Sequence, residues 1–237
     1  MHFDFYINMA KQKTFIISIG GSLIAPKTGI DYAFLKKMRS LIIGETKKGN
    51  KFYLIAGGGI TARNYIEAAK KVIKLTPDDL DWLGIHSTRL NAHLLRTVFR
   101  EIAHPEIITN PAKQLKAKEP VVVAGGWRPG RSTDYMATLL AEQYKIKNII
   151  NLSNIDYVYD KDPGKFKDAK KLERMDWKSF RKLVGNKWDP GLNAPFDPIA
   201  SKKSDELGLE VVIMNGKDIK NIKAYIDGKN FKGTVIK

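Results

Sequence analysis

The sequence predicts an α/β fold, a three-layer αβα sandwich around a mainly parallel central sheet. The main observation is that three apolar runs end in paired glycines, at residues 15–22, 52–59 and 121–132. An apolar run of about five residues suits a strand that is buried on both faces of a parallel sheet. Strand and helix patterns also alternate along the chain, as connected βαβ units require.

The first half of the chain supplies three strand-to-helix units. Apolar residues at helical spacing follow the first glycine pair over residues 34–42, and Gly49–Asn50 provides a helix stop. The second glycine run leads directly into a helix over residues 61–69, and Thr76 opens a longer helix. The third run precedes a helix over residues 133–144.

The second half continues the alternation, with one polar interruption. The predicted segments are a strand at 149–152, a lysine-rich surface hairpin or lid at 160–174, a short helix at 177–184, a loop at 185–197, a helix at 198–207, a strand at 211–214 and a helix at 219–226. We found no composition break that divides the chain, so we expect one domain over residues 1–237 with a disordered tail at about 1–13.

The composition favours a globular protein with anionic partners. The 237 residues are 43% hydrophobic and 28% charged, and 41 basic minus 25 acidic residues leave a net charge of +16. The lysines are spread along the chain, so most of them are expected on the solvated surface. Cysteine is absent, which excludes disulfides and thiolate chemistry, and no apolar stretch approaches a membrane span. We expect a cytoplasmic protein that does not contact membranes.

The glycine pairs indicate a phosphate-handling site. Glycine at a strand end lets backbone N–H groups approach an anion without an intervening Cβ, and open α/β sheets bind ligands beyond the carboxyl ends of their strands. Arg63 lies four residues after Gly59, one turn into a helix, where a guanidinium stabilises phosphate oxygens. The third loop, residues 127–133, offers two arginines and two hydroxyls that could enclose a phosphomonoester. Neither the phosphate-loop motif nor the dinucleotide motif is present.

Six segments together carry a resemblance to a known family. They are residues 19–22, 57–63, 83–92, 125–134, 153–163 and 197–202, and their order and spacing agree. The chain resembles the amino acid kinase family over about residues 15–236, and within it the archaeal-type uridylate (UMP) kinase branch. This resemblance implies a doubly wound sheet whose first half binds the phosphate acceptor and whose second half binds ATP.

The resemblance also implies roles for particular residues. The acceptor UMP would contact Gly58, Asp81, which would hold its ribose, and the loop Gly126, Trp127, Arg128, Pro129, Gly130, Arg131, Ser132 and Thr133. ATP would contact Gly20, Gly21 and Ser22 at its transferring phosphates, Gly59 and Arg63 in the shared phosphate region, and Ser153, Asn154, Tyr159 and Asp162 around the adenosine.

Two positions depart from the family pattern. Bacterial relatives have a lysine just before the first glycine pair, where this chain has Ser18, and Lys202 matches a lysine that could supply the missing charge. Its other interpretation is a surface lysine on a helix. Tyr157 replaces a glycine that is usual in the family. Arg63, Lys202 and Asp156 are the candidate catalytic residues, with Asp156 orienting the lysine or magnesium.

The expected activity is transfer of the ATP γ-phosphate to UMP, with ATP and Mg²⁺ as cofactors. The alternatives are another acceptor (acetylglutamate, carbamate or isopentenyl phosphate) and a nucleotide-binding or RNA-binding regulator without catalysis. The resemblance implies a homo-oligomer, a hexamer of paired subunits, and a nucleic-acid partner is not favoured. The four histidines show no spacing typical of a metal site.

Overall fold

The computed structural model describes residues 12–185, 187 and 194–237. Within them the strands are β1 (Thr14–Ile19), β2 (Lys51–Ala56), β3 (Val121–Ala124), β4 (Asn148–Ser153), β5 (Val158–Tyr159), β6 (Lys171–Leu172), β7 (Arg174–Met175), β8 (Glu210–Asn215) and β9 (Thr234–Ile236). The helices are α1 (Gly21–Ile24), α2 (Tyr32–Thr46), α3 (Gly59–Lys70), α4 (Pro77–Val98), α5 (Thr133–Gln143), α6 (Trp177–Val184), α7 (Pro198–Glu206) and α8 (Ile219–Ile226).

Seven strands form the central sheet in the order β3-β2-β1-β4-β8-β9-β7. The five strands from β3 to β8 are all parallel, whereas β9 runs antiparallel to β8 and parallel to β7. This confirms the predicted α/β fold with a mainly parallel sheet. The chain reverses its direction of strand addition between β1 and β4, which makes their carboxyl ends the switch point where open sheets bind ligands.

Apolar side chains cover both faces of the sheet, and each face carries helices. Alternate residues of β1 point to opposite sides, so Ile17 joins the core under α2, α4 and α8, and Ile16 joins the core under α5, α6 and α7. Both residues are fully buried. The three layers follow from this two-sided burial. Among the described residues no helix is both long and apolar enough to cross a bilayer.

Most predicted helices and strands lie where the sequence placed them. Helix α4 begins with a capping box, in which Thr76 and Asp79 bond each other's backbone N–H groups, so this start was readable from the sequence. The predicted hairpin at 160–174 forms only in part. Its strand β6 pairs antiparallel with β5, which ends just before residue 160, and β7 joins the main sheet. The predicted tail and most of the loop at 185–197 lie outside the described residues.

Strand β9 was not predicted, and it ties the sheet to the β5–β6 pair. The Thr234 hydroxyl accepts a hydrogen bond from the Val158 N–H at 2.8 Å and donates one to the Leu172 carbonyl. Thr234 is fully buried. One side chain of β9 therefore connects both strands of the small pair to the central sheet.

Candidate active site

The first two glycine pairs lie at neighbouring strand ends and touch each other. Gly57 N–H donates to the Ile19 carbonyl at 2.9 Å, and Gly20 N–H donates to the Leu152 carbonyl at 2.8 Å. A Cβ on Gly21 would lie 2.0 Å from the backbone nitrogen of Gly59, which has φ of +64°. The ends of β1, β2 and β4 thus form one continuous backbone surface.

The structure gives a reason for these glycines that differs in part from the predicted one, which was the close approach of an anion. The space that a Cβ would occupy at Gly21 and Gly59 is filled by the neighbouring glycine turn. In the third pair, a Cβ on Gly125 would meet Arg89 of α4 at 3.1 Å, and one on Gly126 would meet the Thr88 hydroxyl at 2.8 Å. These glycines are required by protein packing, whatever ligand they also contact.

A first cavity of about 460 Å³ opens beyond the ends of β2 and β3. It brings together most of the residues that the resemblance assigned to the acceptor and to the shared phosphate region. Of those predicted residues it is lined by Gly58, Gly59, Arg63, Asp81, Gly126, Arg131, Ser132 and Thr133. The opposite wall comes from α4, through Leu80, Gly84, Ile85 and Thr88.

Asp81 fixes the third loop across this cavity. Its Oδ2 accepts a 2.6 Å hydrogen bond from the Gly130 N–H, so the carboxylate holds the loop whether or not it also meets a ribose. Ser132 caps α5 by accepting from the Tyr135 N–H at 3.0 Å. Trp127 and Arg128 do not line the cavity; the Arg128 guanidinium stacks 4.1 Å from the Trp127 ring centroid.

The remaining two loop residues that were predicted to bind the acceptor also lie outside the cavity lining. Pro129 and Gly130 form the tip of the turn, and Gly130 has φ of +72°, a left-handed conformation that favours glycine. Only the two ends of the predicted loop therefore face the cavity.

Arg63 lies one turn into α3, exposed and on the wall of the first cavity. Gly58 at the start of this helix offers no side-chain cap. The Ile60 N–H donates to the Ala25 carbonyl at 2.8 Å, and the other N–H groups of the first turn have no side-chain cap. A helix N-terminus and a guanidinium on one wall favour a bound phosphate. This is the arrangement that the sequence predicted.

A second cavity of about 520 Å³ opens beyond the end of β4. All four residues predicted around the adenosine line it: Ser153, Asn154, Tyr159 and Asp162. Tyr157, the residue that replaces the family's glycine, lines it too, with the Lys171 ammonium 5.0 Å from its ring centroid. The aromatic side chain is therefore part of the cavity wall.

Two candidate catalytic residues lie elsewhere. Lys202 is exposed on α7, and neither cavity is lined by it. Asp156 is also exposed and outside both linings, and its Oδ1 accepts a 2.9 Å hydrogen bond from Asn215 at the end of β8. The structure therefore brings Arg63, but neither of these two, to a cavity wall.

Two neighbouring carboxyl groups, those of half-buried Asp134 and buried Asp197, were given no role in the prediction from the sequence. Asp134 accepts from the Ser18 hydroxyl at 3.1 Å and from the Asp197 N–H at 3.2 Å. Burial, and next the neighbouring Asp197 carboxyl, raise the pKa of Asp134 to about 7, although these two hydrogen bonds oppose the rise. Asp197 is 4% exposed, and its Oδ2 is buried without a hydrogen-bond partner.

Three polar residues on the inner face of α4 were also missed. Thr88 accepts from the Gly126 N–H, Arg89 donates to two carbonyls of the third loop, and Asn91 donates to two carbonyls of the second glycine run. The sequence feature that could have indicated them is the occurrence of polar residues on the buried face of the helix. Thr88 and Asn91 fall on the same face as buried Ala92 and Leu95, where apolar residues are usual.

Comparison with known proteins identifies the class. The model of the amino acid kinase family matches residues 13–215, and the chain belongs to this family. It is similar to the uridylate kinase of Methanospirillum hungatei, 34% identical over 226 residues, which is 94% of each chain. The uridylate kinase of Pyrococcus abyssi is 33% identical over 224 residues, or 93% of this chain and 98% of that protein.

Solved structures agree with the observed fold. The uridylate kinase of Archaeoglobus fulgidus superposes with a TM-score of 0.80 at 30% identity, covering 95% of this chain and 100% of that one. The UMP kinase of Bacillus anthracis shares the fold, with a TM-score of 0.76 at 18% identity and 95% coverage of each chain.

Proposed function

We infer that this protein is a uridylate kinase, which transfers the γ-phosphate of ATP to UMP and yields UDP and ADP. The observation that supports this function most directly is that two cavities lie on either side of one backbone surface. The first lies beyond β2 and β3, the second lies beyond β4, and β1 with Gly20 and Gly21 stands between these strands. Two nucleotides bound head to head would meet at that surface.

Phosphoryl transfer requires positioning and charge neutralisation more than covalent help. The UMP phosphate is already ionised at neutral pH, so no side chain needs to act as a general base. Arg63 neutralises charge that spreads over the transferring group, together with backbone N–H groups at the start of α3. Magnesium would enter as part of the MgATP substrate and would supply further neutralisation of the phosphate charge.

We assign the first cavity to UMP and the second to the adenosine of ATP. Arg131 and Arg63 supply positive charge to the first cavity, which suits a phosphorylated acceptor better than a carboxylate acceptor. Ser153, Asn154, Tyr159 and Asp162 surround the adenosine. Lys202 and Asp156 stay outside the proposed machinery because neither cavity is lined by them.

The test is ADP formation with a panel of acceptors. UMP, CMP and dUMP are compared with acetylglutamate, carbamate and isopentenyl phosphate at equal concentration and saturating MgATP. We expect UMP to give the highest kcat/KM. A higher value for a non-nucleotide acceptor would contradict the assignment of the first cavity, and ATP binding without any turnover would favour the non-catalytic regulator.

We also propose self-association through the surface of α3 and α4, as the resemblance to hexameric relatives implies. Helix α3 has no buried residue, and it ends beside Val72 and Ile73, which are 86% and 65% exposed. Tyr65 of α3 and Leu90 of α4 are exposed apolar residues of the same two helices. Light scattering after size exclusion tests the proposal: Tyr65→Glu with Ile73→Glu should reduce the mass, and an unchanged mass would contradict it.

A further inference from the structure

Helix α4 contacts both glycine turns that frame the first cavity. The Asn91 side-chain amide lies 2.7 Å from the Gly57 carbonyl and 3.0 Å from the Gly58 carbonyl. Asn91 is 1% exposed, so both hydrogen bonds are shielded from water. A buried carbonyl that loses its donor costs free energy, and these two bonds therefore fix the turn that precedes α3.

Two residues earlier on α4, Arg89 holds the third loop in the same way. Its Nε donates to the Gly126 carbonyl at 3.0 Å and one terminal nitrogen donates to the Trp127 carbonyl at 2.8 Å. The neighbouring Thr88 hydroxyl accepts from the Gly126 N–H at 2.7 Å. Three hydrogen bonds from two consecutive residues thus hold the point at which the loop leaves β3.

The charge of Arg89 is not neutralised by a carboxylate. No ion pair within the described part of the chain involves Arg89, and both of its named acceptors are neutral carbonyls. Burial lowers the pKa of Arg89 from its ordinary value, yet arginine stays protonated in proteins. A half-buried positive charge behind the first cavity favours an anionic acceptor there.

We propose that Arg89 and Asn91 are positioning residues for the acceptor. They set the distance between the second glycine turn and the third loop, and so define the width of the first cavity. Neither side chain lines that cavity, so both act through the backbone that they hold. The proposal rests on the assignment of this cavity to UMP, and it adds the source of the cavity's geometry.

The decisive experiment measures KM for UMP and for ATP separately in Arg89→Met and Arg89→Lys. We expect Arg89→Met to raise KM for UMP by about 10- to 100-fold, because misplacing a bound reactant by about 1 Å has effects of that size. KM for ATP should stay within about twofold, since the second cavity is built from other elements. Arg89→Lys should recover only part of the loss, because one ammonium cannot reproduce the planar fork.

Arg96→Met is the matched control, because Arg96 lies two turns further along α4 and lines neither cavity. Unchanged KM for UMP in Arg89→Met, or a parallel rise of both KM values, would overturn the proposal. If Arg89→Met does not fold, Thr88→Val removes the adjoining hydrogen bond at nearly constant volume and should raise KM for UMP about three- to tenfold. An unchanged KM for UMP in Thr88→Val would also contradict the proposal.

Asn91→Asp tests the proposal independently. The substitution keeps the shape of the side chain but replaces the amide donor with an oxygen that cannot donate to the two carbonyls. UMP affinity measured by calorimetry without ATP should fall about tenfold or more, and retained affinity would contradict the role of Asn91. Wild-type protein that fails on UMP but acts on another acceptor would contradict the proposed function alone. The same variants would then be measured against that acceptor.

Discussion

Ser18 on β1 donates a 3.1 Å hydrogen bond to Asp134 on α5, at the position where the family resemblance places a lysine in bacterial relatives. The hydroxyl donates a hydrogen bond to this carboxyl but brings no positive charge to it. Within the described part of the chain no ion pair involves Asp134 or Asp197. Burial, and next the Asp197 carboxyl, raise the pKa of Asp134 to about 7, so it holds its proton below that pH.

The stability of the protein should depend on this proton. Because the pKa of Asp134 is raised from 3.8 to about 7, the folded protein binds a proton that the unfolded chain releases between these values. Stability is therefore lost as the pH rises through this window. Asp134→Asn removes the dependence, so its unfolding free energy relative to wild type should rise by about 2 kcal/mol from pH 5.5 to pH 7.5. Urea denaturation at both pH values measures it, and a constant difference would contradict the shift.

Arg63→Ala should reduce kcat by about 10- to 1000-fold, the usual effect of removing one charge-stabilising donor from a transferring group. Arg100→Ala is the control, since Arg100 is exposed just beyond the end of α4. Steady-state ADP release at saturating substrates measures both. A change of less than about twofold in Arg63→Ala would remove this residue from the active site.

Gly21→Ala should destabilise the fold by at least about 2 kcal/mol, because the new Cβ would overlap the Gly59 backbone nitrogen at 2.0 Å. Gly44→Ala is the matched control within α2, where no atom lies within 4 Å of a new Cβ. Alanine there should stabilise the helix by about 0.5–1 kcal/mol. Thermal denaturation compares the two variants. Equal melting temperatures would show that the glycine turns are not in contact.

Tyr157→Gly restores the residue usual in the family and removes an aromatic wall from the second cavity. If adenine stacks on this ring, KM for ATP should rise about five- to fiftyfold, in line with base–aromatic stacking energies. KM for UMP should not change. Tyr157→Phe keeps the ring and should resemble wild type, whereas an unaffected KM for ATP in Tyr157→Gly would place the adenine elsewhere.

Most helices and strands could be predicted because short stretches of the sequence define them. Helix α6 and helix α8 occupy the predicted residues 177–184 and 219–226, since apolar spacing and flanking polar residues define them. Strand β9 was missed for the opposite reason. It has three residues, and its place in the sheet depends on pairing with β8 about twenty residues earlier, which no local pattern encodes.

The candidate site was predictable only where a motif carried it. Arg63 came from the segment 57–63 and Asp81 from the family resemblance, and both line the first cavity. The Ser18–Asp134 bond joins residues 116 positions apart, and the Arg89 bonds span 37 and 38 positions. Such contacts follow from the tertiary fold, so a single sequence gives the residue types but not their partners.

Thr234 on β9 connects the central sheet to the wall of the second cavity. Its hydroxyl bonds the backbone between Tyr157 and Tyr159, both of which line the second cavity. Loss of β9 would remove this support and would also take fully buried Ile236 out of the core. Harm to this three-residue strand would therefore reach the second cavity and the core of the fold together.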